Sequence, residues 1–217
     1  TATLRYPGGE IELDVVHATE GSDAVALGPL LAKTGYTTFD GGFVNTSSTK
    51  SAITYIDGDQ GILRYRGYPI EQLAEKSTFI EVSYLLMNGE LPTETEFAKF
   101  EHEVTHHTMM HESLKNFLGG FNHDAHPMAI LTGLVGALSA FYHDSTDINN
   151  PQHRDIAAIR LIAKMPTLVA MAYKYNTGMP FMYPDNDLDY TANFMRMMFG
   201  NPCEKYVPNP VLVNAMD

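Results

Sequence analysis

Hydrophobic and polar positions alternate at the start of the chain. Ile11, Leu13 and Val15 are interleaved with Glu10, Glu12 and Asp14, a period of two that predicts a half-buried strand. Thr3–Tyr6 leads into the turn cluster Pro7-Gly8-Gly9, so residues 3–16 read as a strand pair. A second pair is expected at 52–66, where Ala52–Ile56 and Ile62–Tyr65 flank Asp57-Gly58-Asp59-Gln60-Gly61. Between the pairs, residues 34–51 are rich in Gly, Thr and Ser and read as loop.

After residue 68 the spacing becomes helical. Thr78 and Glu81 have capping-box spacing, and Gly89 follows the apolar run as a stop. Thr93 and Glu96 repeat the device, and the helix after them puts Phe97, Phe100 and Val104 on one face. Pro127 suits a first helical position, and Met128–Tyr142 follows without a charged residue. Gln152–Tyr175 is a long helical stretch, with a break or kink expected before Pro166. Tyr183–Asp187 reads as loop, and Leu188–Phe199 as a short helix stopped by Gly200. Asn209 as N-cap and Pro210 in the first turn open a last helix at 211–217 that has no C-cap. The expectation is a chain cut inside that helix. No repeat appears at the periods of the common repeat folds. The predicted class is mainly α, with a small β-rich segment at 1–67 and a helical domain from 68 to 217.

Composition narrows the function. The 217 residues suit one domain or at most two. With 44% apolar and 18% charged residues, the chain is too apolar for disorder. Fourteen Lys and Arg against 26 Asp and Glu give a net charge of −12. That balance argues against a nucleic-acid binder and against an anionic membrane surface as partner. The single cysteine, Cys203, excludes an internal disulfide framework and suits a reducing compartment, here expected to be the cytoplasm. No secretory pattern is visible at the N-terminus, and Thr1 is not an initiator Met.

Few motifs carry chemistry. His102-Glu103-Val104-Thr105-His106 has the HExxH form, in which two histidines one helical turn apart bind zinc and the glutamate activates water. On the predicted helix both histidines project away from the Phe97/Phe100/Val104 face, and no third ligand follows at metzincin spacing. His107 and His111 add another i,i+4 pair, so a solvent-facing histidine-rich helix that takes up metal adventitiously is the simpler reading, and a zinc peptidase the remote one. The run 128–142 is shorter than the roughly 20 residues a bilayer span needs. Its Ala129, Gly133, Ala137 and Ala140 form a small-residue stripe, suited to close helix packing in the core or at a subunit contact. Arg160 and Lys164, four apart on a helix, can face one anion such as a phosphate; the competing reading is a solvated face with acidic neighbours. Asp185–Asp189 starts like a calcium loop, but Tyr190 occupies the glycine position. Asn45-Thr46-Ser47 is a glycosylation sequon that matters only on secretion. Cys203 has no evident activating base.

Longer segments carry more. Ile53–Glu90 (ITYIDGDQGILRYRGYPIEQLAEKSTFIEVSYLLMNGE), His126–Ser145 (HPMAILTGLVGALSAFYHDS), AAIRLIAKMPT and MPFMYPDND within 157–187, NPCEKY and VLVNAMD together resemble citrate synthase, specifically the bacterial hexameric type. The resemblance runs over essentially the whole chain and implies the N-terminal half of such an enzyme. It implies a mainly helical large domain, present in part, after a short β-rich segment, with homodimers assembled into hexamers. The implied reaction condenses acetyl-CoA with oxaloacetate to citrate and CoA, the entry step of the tricarboxylic acid cycle, and requires no cofactor or metal. An aspartate removes the methyl proton, one histidine stabilises the enol, a second polarises the ketone, and arginines hold carboxylates. In the family these groups all lie further along than Asp217, so no catalytic residue is assigned here and the segment alone is expected to be inactive. 2-Methylcitrate synthase, which uses propionyl-CoA, is the near alternative, and a non-catalytic assembly fragment the more distant one. Some relatives bind NADH as an allosteric inhibitor; His107, Thr108, Met109, Tyr142, Arg160, Lys164, Asn186 and Cys203 match that site. His106 stands where those relatives carry an arginine, and Met179 where they carry a glutamine.

Overall fold

The structure, a computed structural model, describes residues 1–217 and divides into two compact units, Thr1–Gln72 and Leu73–Asp217.

In the first unit, β1 (Ala2–Tyr6) and β2 (Gly9–Leu13) pair antiparallel with Leu4 opposite Ile11. Gly8, at φ 123°, makes the turn that a side chain would strain. The alternation breaks at Asp14, where a single longer strand is expected. Val15–Val16 (β3) pairs instead with Ala24–Val25 (β4). Asp23 enforces the switch: it accepts from the Ala18 amide and bonds the His17 ring at 2.7 Å, closing the loop between them. Ile11, Leu13 and Leu30, the last from α1 (Leu30–Thr34), form a small core. The loop expected over 34–51 is irregular from Gly35 onward, and β5 (Thr54–Asp57) pairs with β6 (Ile62–Tyr65) as the alternation predicts. A third short strand, β7 (Tyr68–Pro69), joins that sheet, and α2 (Ile70–Lys76) follows it.

The second unit is helical. α3 (Phe79–Asn88) and α4 (Glu94–Thr105) begin with the complete capping boxes Thr78/Glu81 and Thr93/Glu96, and Gly89 ends α3 in the left-handed conformation. Short α5 (Leu114–Leu118) precedes α6 (Pro127–Phe141). α7 (Pro151–Thr177) packs against α4, α6 and α8 (Tyr190–Phe199), while α9 (Pro210–Met216), capped by Asn209, lies on α8. Two cores result. Leu114, Leu118, Ile130, Leu134, Leu138, Leu168 and Met171 join α5, α6 and α7; Ile80, Phe100, Val104 and Ala163 join α3, α4 and α7.

Of the break or kink expected before Pro166, the break does not occur: α7 runs through Pro166 without interruption. A proline removes one amide and leaves the carbonyl four residues earlier without its donor. Here that carbonyl, Ile162, accepts the Tyr190 hydroxyl of α8 at 2.8 Å, so a neighbouring helix supplies the bond the proline lacks. α7 is long and apolar enough by length and composition to cross a membrane. Yet half of that window is buried inside the protein, as in a core helix, and Lys164 and Lys174 are both buried. α8 starts at Tyr190 rather than Leu188 because the Asp189 carboxylate caps the Ala192 amide at 2.7 Å. The small-residue stripe of α6 straddles its inner and outer faces. Gly133 sits under Phe121, where an added Cβ would be 2.8 Å from the ring, and Ala137 packs on the core, whereas Ala129 and Ala140 are exposed.

Candidate functional site

The candidate site gathers where α4 ends, α6 ends and the middle of α7 passes. α4 stops at Thr105, and the chain continues through His107-Thr108-Met109 in a non-helical path. That path is tied to α7 by Thr167, whose hydroxyl donates to the Thr108 carbonyl at 2.9 Å. α6 stops at Phe141, so Tyr142 caps the helix rather than extending it, and a 3-10 turn over His143–Ser145 follows.

α7 then presents Arg160 and Lys164 one turn apart, both near the ring of the same tyrosine. The Arg160 guanidinium lies 5.3 Å from the Tyr142 ring centroid and the Lys164 ammonium 4.6 Å from it. Both distances are within cation–π range. Arg160 also forms a two-pronged ion pair with Asp144, at 2.6 and 3.0 Å, and bonds the Ser145 hydroxyl at 2.9 Å. Its hydrogen bonds hold the Asp144 carboxyl below the usual aspartate range.

Lys164 differs from its neighbour. It is buried at 3% exposure, and its ammonium donates to the carbonyls of His107 and Met109, the latter at 2.7 Å. Burial, aided by the nearby Arg160 charge, lowers its pKa to about 8. Neither sequence reading of this pair holds whole. Arg160 has the acidic neighbour that the solvated-face reading expects, whereas Lys164 is enclosed and fixed by backbone oxygens. A phosphate arriving at Arg160 must compete with Asp144.

The structure therefore brings six of the eight sequence-derived residues together: His107, Thr108, Met109, Tyr142, Arg160 and Lys164. Asn186, in the exposed loop before α8, and Cys203, exposed beyond it, share no hydrogen bond, ion pair or ring contact with them. Asp144, Ser145 and Thr167 were not picked out by the sequence. Asp144 and Ser145 lie about four helical turns of sequence from Arg160, and no local spacing announces the pairing.

Beside this cluster lies a small cleft, with a cavity volume of about 20 Å³, lined by Met109, Met110, Met171, Phe181 and Tyr183. Glu112, Lys115 and Tyr183 close its rim with a mutual hydrogen-bond network, Tyr183 donating to Glu112 at 2.9 Å. The histidines of the HExxH motif lie on the exposed side of α4, and no group of three His, Cys, Asp or Glu side chains anywhere is arranged to hold a metal ion. A zinc peptidase site lacks its third ligand.

Comparison with known proteins gives the following. The family model described as "Citrate synthase, C-terminal domain" matches residues 42–217. Citrate synthase 1 of Mycobacterium tuberculosis is 60% identical over 217 residues, covering all of this chain and 50% of that protein. The citrate synthase of Corynebacterium glutamicum is 53% identical over 216 residues, covering all of this chain and 49% of that protein. The crystal structure of citrate synthase from Pyrobaculum aerophilum superimposes with a TM-score of 0.69 at 29% identity, covering 98% of this chain and 47% of that one. The chain thus spans about half the length of the curated relatives it matches.

Proposed function

The chain belongs to the citrate synthase family, and we propose that it is the N-terminal portion of a citrate synthase of the bacterial hexameric type. The complete protein condenses acetyl-CoA with oxaloacetate to give citrate and CoA, without a metal or other required cofactor. The observation that carries this reading is the 60% identity to a named citrate synthase, sustained along all 217 residues. Residues 1–67 form its β-rich N-terminal segment, and 68–217 the first part of its large helical domain, with the catalytic groups further along. The protein works in the cytoplasm as a homodimer that assembles further. The outer face of α6, where Met128, Ala129, Thr132, Gly136 and Ala140 are exposed without a charge, supports helix packing between subunits.

An allosteric NADH site at His107, Thr108, Met109, Tyr142, Arg160, Lys164, Asn186 and Cys203 belongs to the same proposal. Its support is the pair of cations near the Tyr142 ring, one able to take a phosphate and the other fixing the peptide beside it.

Oxaloacetate-dependent release of CoA from acetyl-CoA by the full-length protein tests the main reading. Faster turnover with propionyl-CoA would move the assignment to 2-methylcitrate synthase, and no turnover with either would overturn it. Absence of NADH binding to the full-length protein at low salt would remove the allosteric site alone.

A further inference from the structure

We propose that His102 and His106 form an exposed two-histidine chelate for a divalent transition-metal ion, of which zinc is the representative. The sequence offers two i,i+4 histidine pairs, and the structure keeps one. His102 lies in the last turn of α4 and His106 is the C-cap residue just beyond it; both are exposed, with ring centroids 3.9 Å apart and planes 31° from parallel. Two imidazole nitrogens bound to one zinc at about 2.0–2.1 Å are about 3 Å apart, which rings this close can meet.

The tautomer is also set. His106 Nδ1 lies 2.8 Å from the His102 carbonyl oxygen, which can only accept, so Nδ1 carries the proton and donates. The lone pair is left on Nε2, directed away from the backbone. Metal-binding histidines are commonly fixed in this way, with the second ring nitrogen donating to a carbonyl.

The other pair is taken apart. α4 ends at Thr105, so His107 and His111 do not share a helix. His107 Nδ1 bonds the Glu103 carbonyl, while His111 Nδ1 accepts from the Ser113 amide and its ring lies 5.0 Å from Phe141. With no third side-chain ligand convergent, the site is open, and the ion completes its coordination with solvent.

The position adds two consequences. A cation is favoured at a helix C-terminus, the negative end of the helix dipole. The ion would also clamp the turn from which His107 and Met109 emerge, and the carbonyls of those two residues hold Lys164. Metal binding and the ordering of that cluster are thereby linked.

Calorimetric titration of the metal-stripped chain with zinc chloride at pH 7.5 tests the site. The expected result is saturation at one ion per chain, tighter binding of copper(II), and weakening by at least about tenfold in His102→Gln and in His106→Gln. His143→Ala should bind as the parent does, and lowering the pH below the imidazole range should release the ion. Circular dichroism distinguishes lost binding from lost folding, which two exposed positions are not expected to cause. No saturable binding, or binding unchanged in both glutamine variants, would overturn the proposal.

Discussion

Raising the pH should strengthen the fold through Lys164, and Lys164→Met should abolish that gain. In the folded chain this side chain is enclosed at 3% exposure, and its pKa falls from 10.5 to about 8. In the unfolded chain it returns to the ordinary value. Below about pH 8 both states are protonated, and the folded state carries the full cost of an enclosed charge. Between about pH 8 and 10.5 the unfolded state binds more protons than the folded one, so stability rises with pH. Above that window both are neutral and the gain levels off. The interval corresponds to about 3 kcal/mol at most, accumulating at up to about 1.4 kcal/mol per pH unit. The His107 and Met109 carbonyls and the Tyr142 face favour the ammonium and pull the figure down. Methionine fills a similar volume and cannot titrate. Urea unfolding of both proteins from pH 7 to 10.5 gives the difference in stability at each pH, in which the titration of tyrosines common to both cancels. A difference that stays constant across the range would refute the reasoning.

Three further outcomes follow from the same contacts. Asp144→Asn should free Arg160 from its two-pronged partner and tighten the binding of pyrophosphate or NADH to the full-length protein, while leaving the melting temperature nearly unchanged because Asp144 is exposed; weaker or equal binding in a titration counts against competition at that guanidinium. Leu134→Ala empties a fully buried position between α5, α6 and α7 and should lower stability by about 2–5 kcal/mol, measured by denaturant unfolding. Gly133→Ala places a methyl 2.8 Å from the Phe121 ring, so the ring must move; a cost of about 1–3 kcal/mol is expected, and Phe121→Leu in the same chain should recover part of it.

Much of the local structure was legible in the sequence because its causes are local. A capping box needs only Thr and Glu three residues apart, so Thr78/Glu81 and Thr93/Glu96 announced the starts of α3 and α4. Gly89, Pro127, Asn209 and the alternation of Ile11 and Leu13 worked in the same way, and the long family-like segments carried the assignment to citrate synthase. The failures have non-local causes. Pro166 should interrupt a helix, and Tyr190, 24 residues later, prevents it by donating to the orphaned Ile162 carbonyl. Asp14 ends β2 early because Asp23 draws the following residues into a separate pair.

The same division holds at the candidate site. Spacing alone placed Arg160 and Lys164 on one helix face, which 3.6 residues per turn guarantees. It could not tell that one would pair with Asp144 at the surface and the other be enclosed under Tyr142. That difference depends on where α4 and α6 stop, and on which segments the fold lays against α7. Nor could it choose between two identical histidine spacings. Helix termination at Thr105 leaves the His102 and His106 rings 3.9 Å apart and sends His107 and His111 apart. Periodicity fixes which side chains share a face, because it follows from backbone geometry. Charge state, burial and partnership depend on desolvation and on groups distant in the chain, so tertiary packing alone decides them.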